Sequence, residues 1–491
     1  MTGRLRPEHF RARWDVERRI RTKVIATIGP ASASYETVRA LAEAGMDVGR
    51  VNLAHGEHEE HVRVIEWVRR AAEELDKPLA VLADLGGPKI RIGELDSPVA
   101  LRDGETVVLS PEESAAERED EVPTTYAGLA ADVGVGNRIL LADGFMELRV
   151  EAIEPPRIVC RVIRGGTLES NKGINLPGVR VTAPTLTEKD LEDIERVVDA
   201  GVDYVGLSFV QRAEDVVDLR RRLPDEILIV AKIEKDTALE NIEPILAESD
   251  AVMVARGDLG VELPFEQVPL AQKRIIQLAN LFGRPVITAT QMLESMVTNA
   301  RPTRAEASDV ANAVFDGTDA VMLSGETAIG GYPVLAVESM VRIAKETERS
   351  QAFEEGPHYD IPIFDHLRAG ATPTEHAIAA ATVEAVRLLG APAIVTFTRT
   401  GFTGRLVSSY RPSVPIIGVS NLVRTYNQLA LVWGVQPVLC QAEVSYDTMF
   451  DAARRYLVDQ GLASAGQRVV VTAGYPFHVR GTTNMLRVEE L

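Results

Sequence analysis

Glu234 and Asp258 each stand at the end of an apolar run, Ile227–Ile233 and Ala251–Ala255, and are the natural pair to hold a hard divalent cation. Oxygen ligands from two neighbouring strands leave positions open for water and substrate oxygens, as Mg²⁺ (or Mn²⁺) prefers. Lys232 lies two residues before Glu234, so the two side chains share one face of a strand while Ile233 points elsewhere. An ammonium beside a metal suits charge developing on a transferring phosphoryl group or an enolate oxygen; a Schiff-base lysine and a buried salt bridge are the competing roles. Arg256-Gly257-Asp258 opens a helical stretch whose free amides could accept a carboxylate or phosphate, although Gly-Asp turns are common. Other apolar runs close on Arg50, Asn52 and His55; on Asp84, Lys89 and Arg91; on Ser208; on Thr290; and on Ser324 and Glu326. Any one of these could be structural, but so many polar groups converging on one rim is hard to obtain by chance.

The rim needs a scaffold, and the pattern supplies one. Short Val/Ile/Ala-rich runs recur at Lys23–Ile28, Val48–Leu53, Leu79–Asp84, Asp203–Phe209, Ile227–Ile233, Ala251–Ala255, Pro285–Thr290 and Ala320–Ser324. Unbroken apolar runs mark strands covered on both faces, as in parallel sheets. Between them, stretches such as Tyr35–Gly45, His58–Leu75, Glu188–Gly201 and Arg304–Gly317 have helical spacing and often close on glycine. Eight such units predict a (β/α)₈ TIM barrel, whose chemistry gathers at the C-terminal ends of the strands.

One unit is interrupted. From Arg91 to about Pro184 the helical rhythm gives way to alternating segments, Thr106–Leu109, Arg138–Leu141, Glu147–Ile153 and Ile158–Ile163, punctuated by Gly-containing turns. They predict an inserted small β-barrel domain, with Glu112–Glu121 as a solvated loop. Beyond Ser350 a polar linker leads to strands Ala393–Phe397, Pro415–Val419, Pro437–Cys440 and Arg468–Thr472 alternating with helices Glu375–Leu389 and Gly404–Tyr410, an α/β open sheet. The expected division is a basic arm at 1–20, a barrel at 21–92 and 185–345, an inserted β-domain at 93–184 and a C-terminal domain at 346–491. The arm carries Arg4, Arg6, Arg11, Arg13, Arg18 and Arg19 beside Phe10 and Trp14. A solvated helix docking its aromatic side is the expectation, an anion-binding arm the alternative.

Composition narrows the partners. With 53 Lys+Arg against 72 Asp+Glu, the net charge of −19 argues against nucleic acid or anionic membrane. Cys160 and Cys440 are the only cysteines and make no disulfide framework. Neither a signal peptide nor a membrane-length apolar run is present, so a cytoplasmic enzyme is expected.

Thr27–Pro30 (TIGP), Val51–Gly56 (VNLAHG), Asn175–Gly178 (NLPG), Ala231–Glu234 (AKIE), Val252–Glu262 (VMVARGDLGVE), Thr288–Met296 (TATQMLESM), Arg301–Glu306 (RPTRAE) and Met322–Ala328 (MLSGETA) together resemble the pyruvate kinase family, from about Arg21 to the C-terminus. The resemblance implies Mg²⁺-dependent transfer of the phosphoryl group of phosphoenolpyruvate to ADP, giving pyruvate and ATP at the last step of glycolysis. It implies that Arg50 holds the substrate phosphate, that Glu234 and Asp258 bind the metal, and that Lys232 neutralises charge during in-line transfer. The backbone of Gly257 and Asp258 would hold the substrate carboxylate, with Thr290 beside the enolate carbon. Arg91 and Lys172 match positions that contact nucleotide phosphates, with His55 and Asn52 close by. The inserted domain would be a mobile lid, the last domain a regulatory one, and the assembly a homotetramer.

One departure concerns a cofactor. Many pyruvate kinases need K⁺, and the matching positions are Asn52, Ala54, Asp84 and Leu85. Ala54 and Leu85 stand where that pattern has hydroxyls, and neither side chain can ligate a hard cation. Lys89 stands where it has glutamate, and an ammonium could supply the missing charge. Activity without K⁺ is therefore expected. At the far end, Thr398, Arg399, Thr400, Gly401 and Thr403 precede a helix and match the family's effector-phosphate loop, with Gly481 and Thr482 in its second element. Activation by a phosphorylated metabolite is expected; an ordinary capped turn is the alternative. A metal-dependent lyase or aldolase would leave Arg50, Lys232 and Thr290 unexplained. A silent metabolite-binding scaffold should have lost a member of the constellation, and only the K⁺ ligands are missing.

Overall fold

The eight apolar runs form strands Lys23–Ile28, Val48–Asn52, Ala80–Asp84, Tyr204–Leu207, Leu228–Ile233, Ala251–Ala255, Val286–Ala289 and Ala320–Leu323, which pair in parallel, in that order, into a closed barrel. The computed structural model describes residues 10–11, 20–115, 121–354, 373–441, 445–477 and 482–491. Long as it is, the insertion leaves the barrel intact: Tyr204 pairs with Leu82 and Gly206 with Asp84, so the third and fourth strands are direct neighbours. Side-chain alternation sorts each strand into two cores. Val24 and Ala26 join the layer beneath the helices, whereas Ile25 joins Leu82, Tyr204, Val230, Met253, Ile287 and Met322 inside.

Local chemistry fixes the helix starts. Thr303 caps Arg304–Phe315 by accepting from the Glu306 amide, and Glu306 returns a bond to the Thr303 amide. Glu306 also accepts from the Ser295 amide and hydroxyl, so the cap ties down the loop after the seventh strand.

The inserted sheet runs Ile174–Asn175, Arg138–Leu141, Met146–Glu154, Arg157–Arg164, Thr106–Pro111, Glu121–Thr124 and curls over its own core as a half-barrel. The solvated-loop expectation for Glu112–Glu121 needs correction at both ends. Glu112–Ala115 is a helical turn, and Glu121 is buried in a strand, 2.7 Å from Arg157 Nε. A charged tract of this length need not stay solvated when a guanidinium can meet it.

The C-terminal sheet is parallel through Val435–Cys440, Ile416–Ser420, Ile394–Phe397 and Arg468–Ala473, with antiparallel edges at Phe10–Arg11 and Met485–Glu490. Phe10 and Arg11 thus form a strand against Cys440 and Leu439 rather than the expected helix, because an open sheet edge offers backbone partners. The rest of the arm lies outside the described residues, as do residues 355–372 of the linker. This domain also stoppers the barrel from below: Ala430 and Leu431 belong to the barrel's inner cluster, and the Tyr204 hydroxyl donates to the Gln428 carbonyl at 2.7 Å. Burying Leu431 there contributes about 2 kcal/mol. Among the described residues no helix is long and apolar enough to cross a membrane.

Candidate active site

Four barrel strands deliver charged side chains to one point at their C-terminal ends. Asp84, closing the third strand, is fully buried and meets two cations: Arg50 from the second strand at 2.6 Å and Lys232 from the fifth at 3.2 Å. Lys232 Nζ also contacts Glu234 Oε1 at 2.9 Å and donates to Ser208 Oγ at 2.7 Å. Ser208 passes its own proton to the Leu85 carbonyl, and Arg50 donates to Thr27 Oγ1 at 3.0 Å. The network therefore spans strands one to five.

Its electrostatics follow from burial and neighbours. Burial disfavours the Asp84 anion, but Lys232 and Arg50 outweigh it and hold the carboxyl below its ordinary range. Burial would likewise lower Lys232, yet Asp84 and Glu234 hold it above an ordinary lysine. Glu234 goes the other way. Burial raises it, Lys232 pulls it down, and the nearby Asp258 carboxylate pushes it up again, leaving it above the usual range. Two carboxylates that repel each other on a common rim fit a divalent cation, which relieves that repulsion. Asp258 remains about one-third exposed, with Lys89 Nζ 3.9 Å from its Oδ1.

The backbone around this point is bent. Phe209, Thr290 and Gln291 have φ of 55°, 66° and 54°, a region β-branched residues such as threonine rarely enter. Each such residue costs about 1–3 kcal/mol and persists only where its surroundings fix it. Arg256 does so for the seventh-strand turn. It donates to the carbonyls of Thr290 and Gln291 at 2.7 and 3.2 Å and pairs with Asp309 at 2.7 Å. Arg256 is thus a buried brace. Phe209 is turned so that its amide donates to Glu234 Oε2 at 2.7 Å. Glu234 therefore has one oxygen on an ammonium and one on an amide, which fixes its plane. Glu326, another strand-end candidate, is used up by the amides of Leu293 and Ser324.

Thr290 Oγ1 accepts from the Gly257 amide at 2.7 Å and donates to the Ala289 carbonyl at 2.6 Å. The helix Arg256–Glu262 that begins here has no side-chain cap. Arg91 and Lys172 lie together at the base of the inserted sheet, where Arg91 bridges to Gly173 and the Ile92 amide donates to the Lys172 carbonyl. The Arg91 guanidinium reaches the Asn171 carbonyl, and Lys172 pairs with Glu169. His55 is exposed, and Asn52 Oδ1 accepts from the Ala54 amide at 3.3 Å.

The C-terminal loop lies apart from this rim. Gly401, at φ 78°, leads into the helix Phe402–Ser409, and the Thr403 hydroxyl meets that of Thr483 at 2.8 Å. Thr398 is buried, Arg399 exposed and Thr400 half-buried. Arg405, which the sequence did not mark out, packs beneath the loop and donates to the Thr400 carbonyl. Thr482 adjoins Gly474; Gly481 lies outside the described residues.

Sequence reasoning also missed the central place of Asp84 and the roles of Thr27 and the Phe209 amide. A signal was available for Asp84: it is an aspartate ending an otherwise apolar strand, one strand away from Arg50.

Known proteins match this chain along most of its length. The family model described as pyruvate kinase, barrel domain, matches residues 19–337, and that described as pyruvate kinase, alpha/beta domain, matches residues 376–489. The chain is 46% identical over 475 residues to a pyruvate kinase of Geobacillus stearothermophilus, covering 95% of this chain and 80% of that protein. It is 44% identical to a pyruvate kinase of Staphylococcus aureus and 43% identical to one of Staphylococcus epidermidis, each over 474 residues and with the same coverage.

Proposed function

The chain belongs to the pyruvate kinase family and has that family's activity on phosphoenolpyruvate and ADP; from that premise we propose which of its residues carry the reaction. The observation that carries the assignment is Lys232 Nζ, held between Asp84, Glu234 and Ser208 at the strand ends.

Glu234 and Asp258 would hold the Mg²⁺ (or Mn²⁺), which would supply charge neutralisation to phosphate and enolate oxygens. Arg50 takes the phosphate of phosphoenolpyruvate, with Asp84 and Thr27 fixing its guanidinium plane. Lys232 faces the charge that builds as the phosphorus–oxygen bond to the enolate breaks, and its high proton affinity keeps it cationic throughout. The substrate carboxylate takes the Gly257 amide in place of Thr290 Oγ1. That exchange frees the threonine hydroxyl to position the group or water that protonates the enolate carbon. Arg91 and Lys172, with His55 and Asn52 nearby, meet the ADP phosphates at the lid base, and lid closure excludes water from the transfer. The test is a coupled assay of Arg50→Met and Thr290→Ala. Arg50→Met should raise KM for phosphoenolpyruvate and lower kcat, whereas Thr290→Ala should lower kcat mainly. Unchanged constants in both would overturn the roles.

K⁺ independence rests on four residues. The side chains of Ala54 and Leu85 offer no ligand, and the two oxygens of Asp84 face Arg50 and Lys232. Lys89 brings a tethered cation 3.9 Å from Asp258. Steady-state rates in buffer free of K⁺ should match those with it; loss of most activity there would refute the proposal. Regulation by a phosphorylated metabolite rests on Thr398, Arg399, Thr400, Gly401 and Thr403, with Gly481 and Thr482 as a second element and Arg405 as a cation beneath. A phosphoenolpyruvate curve unmoved by sugar phosphates and AMP would count against it. The domain boundaries at 93, 185 and 346 and a homotetrameric assembly stay with this reading, the latter to be read by light scattering.

A further inference from the structure

Just past the loop that follows the second barrel strand, the helix His58–Glu74 packs beside the helix Glu188–Asp199. There one ring nitrogen each of His58 and His61 and a carboxylate oxygen of Asp193 lie within 4.8 Å of one another. His58 and His61 are three residues apart and so share a helix face; their rings meet nearly perpendicular, at 87°. Asp193 is 1% exposed and His61 6%.

The hydrogen bonds leave one ligand lone pair free, on His61. His61 Nε2 lies 2.7 Å from the His55 carbonyl, which can only accept, so Nε2 carries the proton and the neutral ring keeps an unprotonated Nδ1. That Nδ1 is buried without a hydrogen-bond partner, whereas Asp193 Oδ1 faces His58 Nδ1. The other carboxylate oxygen, Oδ2, is taken by Lys189 Nζ at 2.7 Å, and the same ammonium donates to the Leu53 carbonyl. Lys189 holds the carboxylate in place with Oδ1 turned to the His58 ring, where a metal ion would take the place of the proton between them. His58 Nδ1 and Asp193 Oδ1 stand 3.0 Å apart. Two ligands of one tetrahedral zinc sit about 3.3 Å apart, so this edge of the set is already near coordination distance.

We propose that His58, His61 and Asp193 form a second metal site, separate from the Glu234–Asp258 centre, for a borderline divalent ion of the zinc and cobalt class. Two imidazoles and one carboxylate select such ions over Mg²⁺, which prefers oxygen. The 24% exposure of the His58 side chain gives the ion a path in and leaves a coordination position for water. The hydrogen bonds from His61 to the His55 carbonyl and from Lys189 to the Leu53 carbonyl orient the first sphere from outside it, as carbonyl partners of metal-ligating histidines do. They also tie the site to the loop that carries Asn52 and His55.

Co²⁺ titration of the intact enzyme in saturating Mg²⁺, read by visible absorption, tests this. One Co²⁺ per chain should bind with the strong bands of four- or five-coordinate geometry and raise Tm. His58→Ala and Asp193→Asn should each weaken binding at least tenfold while leaving far-UV circular dichroism unchanged. If one variant does not fold, the other decides. The proposal is overturned by equal binding in a folded variant, by only the weak bands of octahedral cobalt that Mg²⁺ abolishes, by thiolate charge-transfer bands from Cys160 or Cys440, or by no uptake.

Discussion

The two ends of the barrel use the same side chains in opposite ways. At the N-terminal ends, Asp47, Asp203, Asp250 and Asp319 accept from the amides of Val24, Val81, Ile229 and Val286 at 2.8 to 3.0 Å. Three of them also meet an arginine: Asp203 with Arg69, Asp250 with Arg220 and Asp319 with Arg411. These carboxylates close the bottom of the barrel, and Asp319, through Arg411 and the Trp433 amide, locks the C-terminal domain to it. At the other rim, Asp84, Glu234 and Asp258 lean on cations and on one another, beside backbone turned to positive φ. Charges whose partners are amides and arginines of the fold give stability. Charges left crowded with like charges keep an appetite for ligands.

The widest separation between the rims should come from Lys232→Met. It should lower kcat by about 10³-fold or more, measured by coupled assay, because no other described ammonium contacts both Asp84 and Glu234. At the opposite end, Asp319→Asn leaves the Arg411 guanidinium buried without its charge partner. It should lower unfolding free energy by about 3 kcal/mol in urea melts while kcat stays within twofold. A large kcat loss there would erase the distinction between the rims.

Lys89→Glu sharpens the comparison within the upper rim. It places a third carboxylate near Glu234 and Asp258, and should lower activity in K⁺-free buffer by about tenfold, with K⁺ restoring part of it. The smallest effect concerns pH. Burial and Asp258 raise the Glu234 carboxyl above its ordinary value of 4.5, so protons compete with metal at higher pH than for a solvated glutamate. In the metal-free protein the preference for protonated Glu234 adds stability at low pH and is lost as pH rises through its folded pKa. The gain in Tm on adding Mg²⁺ should therefore grow with pH across that window, and Glu234→Gln should flatten it.

Strand-by-strand patterning made the barrel legible, because residues such as Val252 and Val254 are buried on the helix side and Ala251 and Met253 on the inner side, leaving uninterrupted apolar runs. The edge strand Met485–Glu490 escaped notice since three of its six residues are exposed and it alternates with charge. The short plug Leu429–Leu431 looks like any apolar loop; only the barrel's open base gives it a partner. In the site, Lys232 and Glu234 were readable from a shared strand face. Asp84 was read as a remnant cation ligand because its true partners come from other strands, and the sequence does not state which strands adjoin. Arg256, whose type would suit a ligand, spends its donors on the seventh-strand turn.

The central claim is that Glu234 and Asp258 together give the metal its place at the upper rim. Mg²⁺ titration of the phosphoenolpyruvate–ADP assay with Glu234→Gln, Asp258→Asn and the parent chain tests it. Both variants should lose about 10³-fold in kcat/KM and need far more Mg²⁺ for what remains. Parent-like activity in either, at parent-like Mg²⁺, would contradict the account.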